Sequence, residues 1–384
     1  KVIGVGGSGK NALNHMINSK VKGIEFIAMN TDTQDLHNSL SDKKIHLGKN
    51  LTKGLGAGMN PDIGRKAAEE TKAEIQDTIK GAEMVFIACG MGGGTGTGAA
   101  PIVARAAKEQ GILTVAVVTK PFFFEGNQRM RLAEKGIEEL EQEVDAIIVI
   151  PNDRLLAISG KETTFKDAFA MCDEVLRQAV EGISDLITSP GYMNVDFADI
   201  KAVMADAGTA LMGVGYSSGE NRAEQAALQA INSPLLDISI NGAQGVLFAI
   251  SSGEDLTMNE FQMASKVITE SVDKDAKVII GTIKDERLKK GEVKITVIAT
   301  GFPTDSPKKS LFGTGISSQP VMNLKKDKDD DFEKNEKKSQ ITNSLVTPAV
   351  EVKKTTDVGT IDDDDMEDDS DWGSLPVFLR GRKK

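Results

Sequence analysis

Apolar residues fall into two rhythms along the chain. Short runs at Val2 to Val5, Glu25 to Met29, Met84 to Cys89, Thr114 to Thr119 and Ala146 to Ile150 have the length and the Val/Ile content of buried strands. Between them, Asp62 to Lys80 and Asn127 to Val144 repeat apolar residues every three or four positions, as amphipathic helices do. This alternation is the order of a doubly wound parallel sheet, in which ligands bind at the carboxyl ends of the strands. Next, Phe165, Phe169, Cys172, Leu176, Ala179, Ile183 and Ile187 sit at helical spacing ahead of Ser189-Pro190-Gly191, which predicts one long, largely buried helix.

From Asp206 to Phe302 the pattern changes. Strand candidates Gly245 to Ser251, Lys277 to Thr282 and Val293 to Thr300, with helical patterns at Asn221 to Ile231 and Leu256 to Val272, predict a smaller α+β domain. Thr209 to Gly219 is rich in glycine but follows no apolar strand, and it reads as structural rather than as a nucleotide loop. After Pro303 the apolar content falls, and Lys325 to Lys338 and Asp362 to Asp369 are charge runs that cannot bury enough surface to order themselves. A flexible linker of about 65 residues has a root-mean-square span of about 45 Å. Apolar anchors return at Trp372, Leu375, Val377, Phe378 and Leu379, beside four basic residues.

The chemistry concentrates in two glycine-rich stretches at strand ends. In Gly90 to Pro101, glycines let backbone N–H groups approach an anion, and an Ala-rich helical pattern follows from Pro101 through Ala107, so the stretch reads as a phosphate cradle at a helix N-terminus. The first stretch, Gly4 to Asn11, overlaps two short patterns. Gly4, Gly6 and Gly9, with Asp32 downstream, satisfy a dinucleotide fingerprint, while Gly4 to Lys10 spells most of a Walker A loop. Asn11 stands where that loop needs a hydroxyl for Mg²⁺. Two such stretches some 80 residues apart suggest convergence on one polyphosphate, through Gly7, Ser8, Gly9, Lys10 and Asn11 of the first and Gly94, Thr95 and Gly96 of the second.

At this point the residues resemble a known family. Gly90 to Pro101 is similar to the signature of the tubulin/FtsZ superfamily. Asn30-Thr31-Asp32, Thr52 to Gly58 and Asn194 to Asp199 look like bacterial FtsZ, a resemblance that runs from Lys1 to about Gly301 and resumes in the last dozen residues. It implies a GTP-binding, GTP-hydrolysing cytoskeletal protein that polymerises head to tail and forms the division ring at the septum, in the cytoplasm against the inner face of the membrane. Mg²⁺, held mainly by the nucleotide, and K⁺ are the implied ions.

The resemblance also sharpens individual residues. Phe169 and Asp173 share a helix face, which suits a plain core helix or a site where the ring stacks on a base and the carboxylate accepts its N–H groups. Guanine offers such donors, whereas adenine would leave Asp173 unpaired. By resemblance Asn152 contacts guanine and Glu125 and Arg129 contact the ribose and phosphates, although the latter two alone read as a solvated helix pair. Asn194 and Asp196 read as helix N-caps and Asp199 as a first-turn acid. By resemblance the three form the loop that enters the nucleotide pocket of the next subunit and carries catalysis. Leu375, Pro376, Phe378, Leu379 and Arg380 resemble the tail peptide that docks into divisome membrane adaptors such as FtsA, ZipA or SepF. Two positions depart from the family pattern. Ser8 and Lys10 interrupt a loop that is usually nearly all glycine, and Lys10 either adds charge near the phosphates or points into solvent; Ser374-Leu375 precedes Pro376 where an acid-apolar pair is commoner.

Composition narrows the rest. A net charge of −11 argues against a nucleic-acid partner, and a hydrophobic content of 40% with only 4% aromatics suits two aliphatic cores. No apolar run reaches transmembrane length. Cys89 and Cys172 lie in apolar patterns as buried free thiols of a reducing compartment, and His15, His37 and His46 show no metal-ligand spacing. The organisation expected is a GTP-binding domain at 1–164, a central helix at 165–188, the catalytic loop with its following helix at 189–205, an α+β domain at 206–303, a disordered linker at 304–368 and an adaptor peptide at 369–384. A nicotinamide-dependent dehydrogenase, carried by Gly4, Gly6, Gly9 and Asp32, is the alternative from another class. A relative that binds GTP and polymerises without turnover is the third.

Overall fold

The computed structural model describes residues 1–302 except 161, 190, 234, 237–239 and 241. The linker and tail peptide expected from the sequence therefore lie outside the described residues. The strands are β1 (Val2–Val5), β2 (Phe26–Asn30), β3 (Lys43–His46), β4 (Met84–Gly90), β5 (Leu113–Lys120), β6 (Ala146–Pro151), β7 (Gly208–Ser218), β8 (Gly245–Ser252), β9 (Lys277–Lys284) and β10 (Glu292–Thr300). They form one ten-stranded sheet in the order β3-β2-β1-β4-β5-β6-β7-β10-β8-β9. From β3 to β6 every pairing is parallel, and the order reverses direction at β1. That reversal opens a crevice beyond the carboxyl ends of β1 and β4.

The helices are α1 (Gly6–Asn18), α2 (Thr33–His37), α3 (Lys49–Thr52), α4 (Pro61–Glu70), α5 (Lys72–Ile79), α6 (Thr95–Lys108), α7 (Asn127–Glu141), α8 (Asn152–Ile158), α9 (Phe165–Thr188), α10 (Phe197–Met204), α11 (Arg222–Ile231) and α12 (Met258–Glu270). One face of the parallel half packs α1 and α9 through Leu13, Met16, Val175, Leu176 and Ala179. The other face packs the helices α4 to α7 through Ala67, Ile75, Val103 and Leu140. A third cluster, with Ala226, Ala230, Phe248, Ile268 and Ile295, holds α11 and α12 on the second half of the sheet.

Three expectations change. The single helix expected over Asp62 to Lys80 is two, because the chain turns at Thr71, whose φ of −102° and ψ of 10° leave the helical basin. The stretch Thr209 to Gly219 lies in strand β7: Gly208 to Ala210 pair with β6 in parallel, and Leu211 to Ser218 pair with β10 antiparallel. Its glycines reflect crowding, since a Cβ on Gly213 or Gly215 would stand 2.0 Å from the carbonyl oxygen of Ala230 or Ala226 in α11. Finally, α6 begins at Thr95 rather than near Pro101, so the glycine run forms its first turn.

The long helix α9 starts at Thr164, whose hydroxyl accepts the Asp167 N–H at 3.2 Å while Asp167 accepts the Thr164 N–H. Cys172, Leu176, Ala179 and Ile183 are buried as the spacing predicts, but Phe165 and Phe169 are exposed. Their rings pack instead in a cluster with Phe122 and Phe124, which follow β5.

Candidate functional site

The first glycine stretch is the opening turn of α1 and the second leads into α6, so two helix N-termini meet at the carboxyl edge of the sheet. A Cβ on Gly6 would stand 3.1 Å from the Gly96 nitrogen, and one on Gly90 would stand 2.7 Å from Ser8 Oγ. Thr31, at the end of β2, joins them through Thr95, the two hydroxyl oxygens being 2.7 Å apart. Aligned N–H dipoles from two helices favour an anion between them.

The glycines divide by purpose. At Gly9 a Cβ would meet the Ala88 carbonyl oxygen at 2.4 Å, at Gly94 that of Gly58 at 2.4 Å, and at Gly98 that of Pro61 at 1.9 Å. These positions permit close packing of backbone on backbone. Gly7 and Ser8 are instead exposed, and Gly93 has nothing within 4 Å. They are the open positions of the cradle, with Asn11 exposed one turn further along.

Lys10 does not point into solvent. It is 8% exposed, and its Nζ lies 2.6 Å from Asp35 Oδ1. Asp32, the acid of the dinucleotide pattern, caps α2 by accepting the Asp35 N–H at 3.0 Å. That capping role accounts for it without a ribose.

Beside the two helix ends, Phe122 follows β5 and its ring meets Phe169 edge-on, with centroids 5.2 Å apart. Glu125 Oε1 accepts the Phe122 N–H at 2.9 Å, while Glu125 Oε2 accepts from Arg129 Nη1 at 3.0 Å. A Cβ on Gly92 would lie 2.8 Å from the Arg129 carbonyl oxygen, so the start of α7 abuts the second cradle. Asn152 opens α8 at the end of β6. It is 5% exposed, yet its Oδ1 is buried with no hydrogen-bond partner. An orphaned buried amide at the carboxyl end of β6 suits a ligand that brings its own donors.

Asp173 lies one turn beyond Phe169 on α9. Burial pushes its carboxyl up to about 6, against the pull of the positive neighbours His15 and Lys10. His15 Nε2 sits 2.9 Å from Glu174 Oε2, which fastens α1 to α9 beside this point. The structure thus gathers Gly7 to Asn11, Gly94 to Gly96, Glu125, Arg129, Asn152, Phe169 and Asp173 at one edge of the sheet. Thr31 and Asp35 join them; the segment Asn30-Thr31-Asp32 after a strand end signals Thr31, and nothing in the sequence signals Asp35.

Asn194, Asp196 and Asp199 do not join them. The axial rise of α9 from Asp173 to Thr188 is about 22 Å, and these three residues follow its far end. Asp196 caps α10 by accepting the Ala198 N–H at 3.2 Å, and all three side chains are exposed. Asn194 is not an N-cap; its Oδ1 accepts the Gly191 N–H at 2.8 Å and closes the preceding turn. The loop is pinned to β9, where the Met193 N–H donates to Thr282 Oγ1 at 2.8 Å and the Thr282 N–H donates to the Met193 carbonyl at 3.0 Å. Tyr192 and Met193 beside it are exposed. Among the described residues, no group of three or more His, Cys, Asp or Glu side chains converges as a metal site, and no helix is long and apolar enough to cross a membrane. Both cysteines are buried and free, and burial pushes the Cys89 thiol up to about 12.

Two helix N-termini facing one crevice, a half-exposed phenylalanine and a buried carboxylate suit a purine nucleotide, and similarity to known proteins supplies the class. Residues 1–160 match the GTPase domain of the Tubulin/FtsZ family, and residues 208–303 match the C-terminal domain of the FtsZ family. An FtsZ dimer structure from M. jannaschii is 47% identical over 78% of this chain and 87% of its own, with a TM-score of 0.75. A point-mutant FtsZ structure from the same organism is 46% identical over 78% of this chain and 90% of its own, also at 0.75. CetZ2 of Haloferax volcanii, solved as a GTPγS-bound protofilament, is 20% identical over 79% of this chain and 93% of its own at 0.66, and shares the fold.

The chain belongs to the FtsZ family. It is a GTP-binding, GTP-hydrolysing cytoskeletal protein of the tubulin-like class, which sets aside the dehydrogenase alternative. The FtsZ structures matched come from M. jannaschii, so the likeness carries the family and not a bacterial source.

Proposed function

We propose that this protein forms head-to-tail filaments in which each GTP is bound by one subunit and hydrolysed with the help of the next. The triphosphate lies against Gly7, Ser8, Gly9 and Asn11 of α1, with Lys10 behind them paired to Asp35, and against Gly94, Thr95 and Gly96 at the start of α6. Guanine stacks on Phe169 and donates its N–H groups to Asp173, with Asn152 Oδ1 accepting a further one. Glu125 and Arg129 take the ribose and phosphates.

On the opposite face, Asn194, Asp196 and Asp199 enter the pocket of the neighbouring subunit. There the two carboxylates orient and polarise a water for attack on the γ-phosphorus; the bond to the β-phosphate oxygen breaks and GDP and phosphate leave. Mg²⁺ would be held mainly by the nucleotide oxygens and, with K⁺, would supply charge neutralisation there. The observation that carries this reading is the length of α9, which keeps the acids about 22 Å along its axis from Asp173. A contact between unlike faces need not close into a ring, and open filaments follow where it does not.

The same reading places the filaments in the division ring at the septum, in the cytoplasm on the inner face of the membrane. Leu375, Pro376, Phe378, Leu379 and Arg380 tether them there through an adaptor of the FtsA, ZipA or SepF kind. The 1–164, 165–188, 189–205, 206–303, 304–368 and 369–384 segments then serve as GTP-binding domain, central helix, catalytic loop and helix, α+β domain, linker and adaptor peptide.

GTP turnover per subunit, measured across protein concentrations with Mg²⁺ and K⁺ and with light scattering in parallel, tests the shared site. Turnover should appear together with scattering above a threshold. Turnover per subunit that is independent of concentration would place all catalysis within one chain and remove Asp196 and Asp199 from it.

A further inference from the structure

Lys10 occupies an unusual place for a lysine. It lies on α1 just past the open turn of the cradle, its side chain is almost buried, and its ammonium meets Asp35 Oδ1 at 2.6 Å. Asp35 is fixed from two further sides. Asn30 Nδ2 donates to its Oδ2 at 2.8 Å, and its own N–H donates to Asp32 Oδ1 at 3.0 Å. That Oδ2 faces the cradle, since a Cβ built on Gly7 would have it as nearest neighbour at 3.4 Å. A carboxylate so close to a bound polyphosphate repels it at short range, where solvent screens poorly.

We propose that Lys10 is a positioning residue: it neutralises Asp35 and holds that carboxylate still beside the cradle, and does not itself contact the phosphates. This rests on the reading of the first turn of α1 as the phosphate site. The ammonium, itself nearly buried, is committed to a close and partly exposed partner, and withdrawing it toward a ligand would leave Asp35 uncompensated beside the same phosphates. Lys10 therefore acts through the net charge of the α1–α2 corner, and its effect scales with the number of phosphates on the ligand.

The test measures the affinity of the full chain for GTP, GDP and guanosine by calorimetry, below the assembly threshold. Lys10→Met, which keeps length and packing, should weaken GTP about tenfold or more and GDP less, with guanosine unchanged. Adding Asp35→Asn should return GTP affinity to within about threefold of the parent. Lys10→Arg keeps the pairing and should bind as the parent does, which separates charge from any loss of fold seen by thermal melting. A double variant as weak as Lys10→Met, or a Lys10→Met protein with undiminished GTP affinity, overturns the proposal.

Gly7→Asp separates this from the underlying reading. A new carboxylate there is exposed and favoured by the helix dipole, so folding is retained, yet it should abolish GTP binding. If Gly7→Asp binds GTP normally, the cradle reading itself is wrong. If it does not, while the double variant stays weak, only the pairing of Lys10 with Asp35 fails.

Discussion

Asp173, the guanine acceptor in the proposed function, is held at a cost. Its carboxyl is pushed up to about 6 by burial, with His15 and Lys10 pulling the other way, whereas in the unfolded chain it ionises in the ordinary carboxylate range near 4. Between those values the native protein holds a proton that the unfolded chain has lost. The stability conferred by the neutral form is therefore complete below about pH 4 and disappears as the pH rises through about 6. Asp173→Asn should make the nucleotide-free protein more stable above pH 6, by at most about 3 kcal/mol, and should remove that part of the pH dependence. The carboxamide presents one acceptor and one donor to a base edge made of donors, so guanine nucleotide affinity should fall steeply. In the parent, GTP affinity should decline as the pH drops below about 6. Urea melts at pH 5 and 7.5 with GDP binding alongside would decide it; a variant that keeps guanine affinity removes Asp173 from recognition.

At the scale of the element, α9 is organised by a ladder of buried charge. Arg177 donates to Glu174 at 2.8 and 2.7 Å and to Glu181 at 2.5 Å; Glu181 also accepts from Arg287, and Lys294 Nζ lies 3.6 Å from it. Burial alone would raise the Glu174 carboxyl, but the hydrogen bonds from Arg177 and then His15 outweigh it and bring it to about 2. Its contribution is present above the ordinary Glu range and is lost as the pH falls toward 2. Arg177→Met removes the cation shared by two buried carboxylates, leaving Glu174 with His15 and Glu181 with Arg287 and Lys294, and should cost about 3 kcal/mol in chemical denaturation. A loss below about 1 kcal/mol would mean that solvent screens the ladder. The same helix shows what could be read from the chain. Cys172, Leu176, Ala179 and Ile183 announced the helix because its period is local, and the glycine runs announced two strand-to-helix turns because strands precede them. The exposure of Phe165 and Phe169 was not legible, since their partners Phe122 and Phe124 come from a distant strand end. The burial of Glu174, Arg177 and Glu181 carries no signal in the sequence, because His15, Arg287 and Lys294, which make it tolerable, lie far away along the chain. Strand β7 was missed for a related reason: Gly213 and Gly215 weaken its pattern to admit α11, a contact invisible to local propensity.

For the whole molecule, the proposed division of the site between two faces implies that two different lesions can repair each other. Asp199→Ala keeps the cradle, Phe169 and Asp173, so it should bind GTP and assemble but hydrolyse slowly. Gly7→Asp loses the nucleotide but keeps Asn194, Asp196 and Asp199 on the loop that β9 holds in place. Each protein alone lacks complete junctions. Mixed, the intact acids of a Gly7→Asp subunit can meet GTP held by an Asp199→Ala subunit, and the contact between unlike faces permits that order without changing either fold. Turnover in the mixture should exceed the sum of the two separate rates and should rise with total concentration, since every productive site is bimolecular. Measured as phosphate release at fixed total protein across mixing ratios, the excess should pass through a maximum at an intermediate ratio. A rate that is a straight average of the two pure proteins at every ratio would mean that pocket and acids act within one chain, which the length of α9 speaks against.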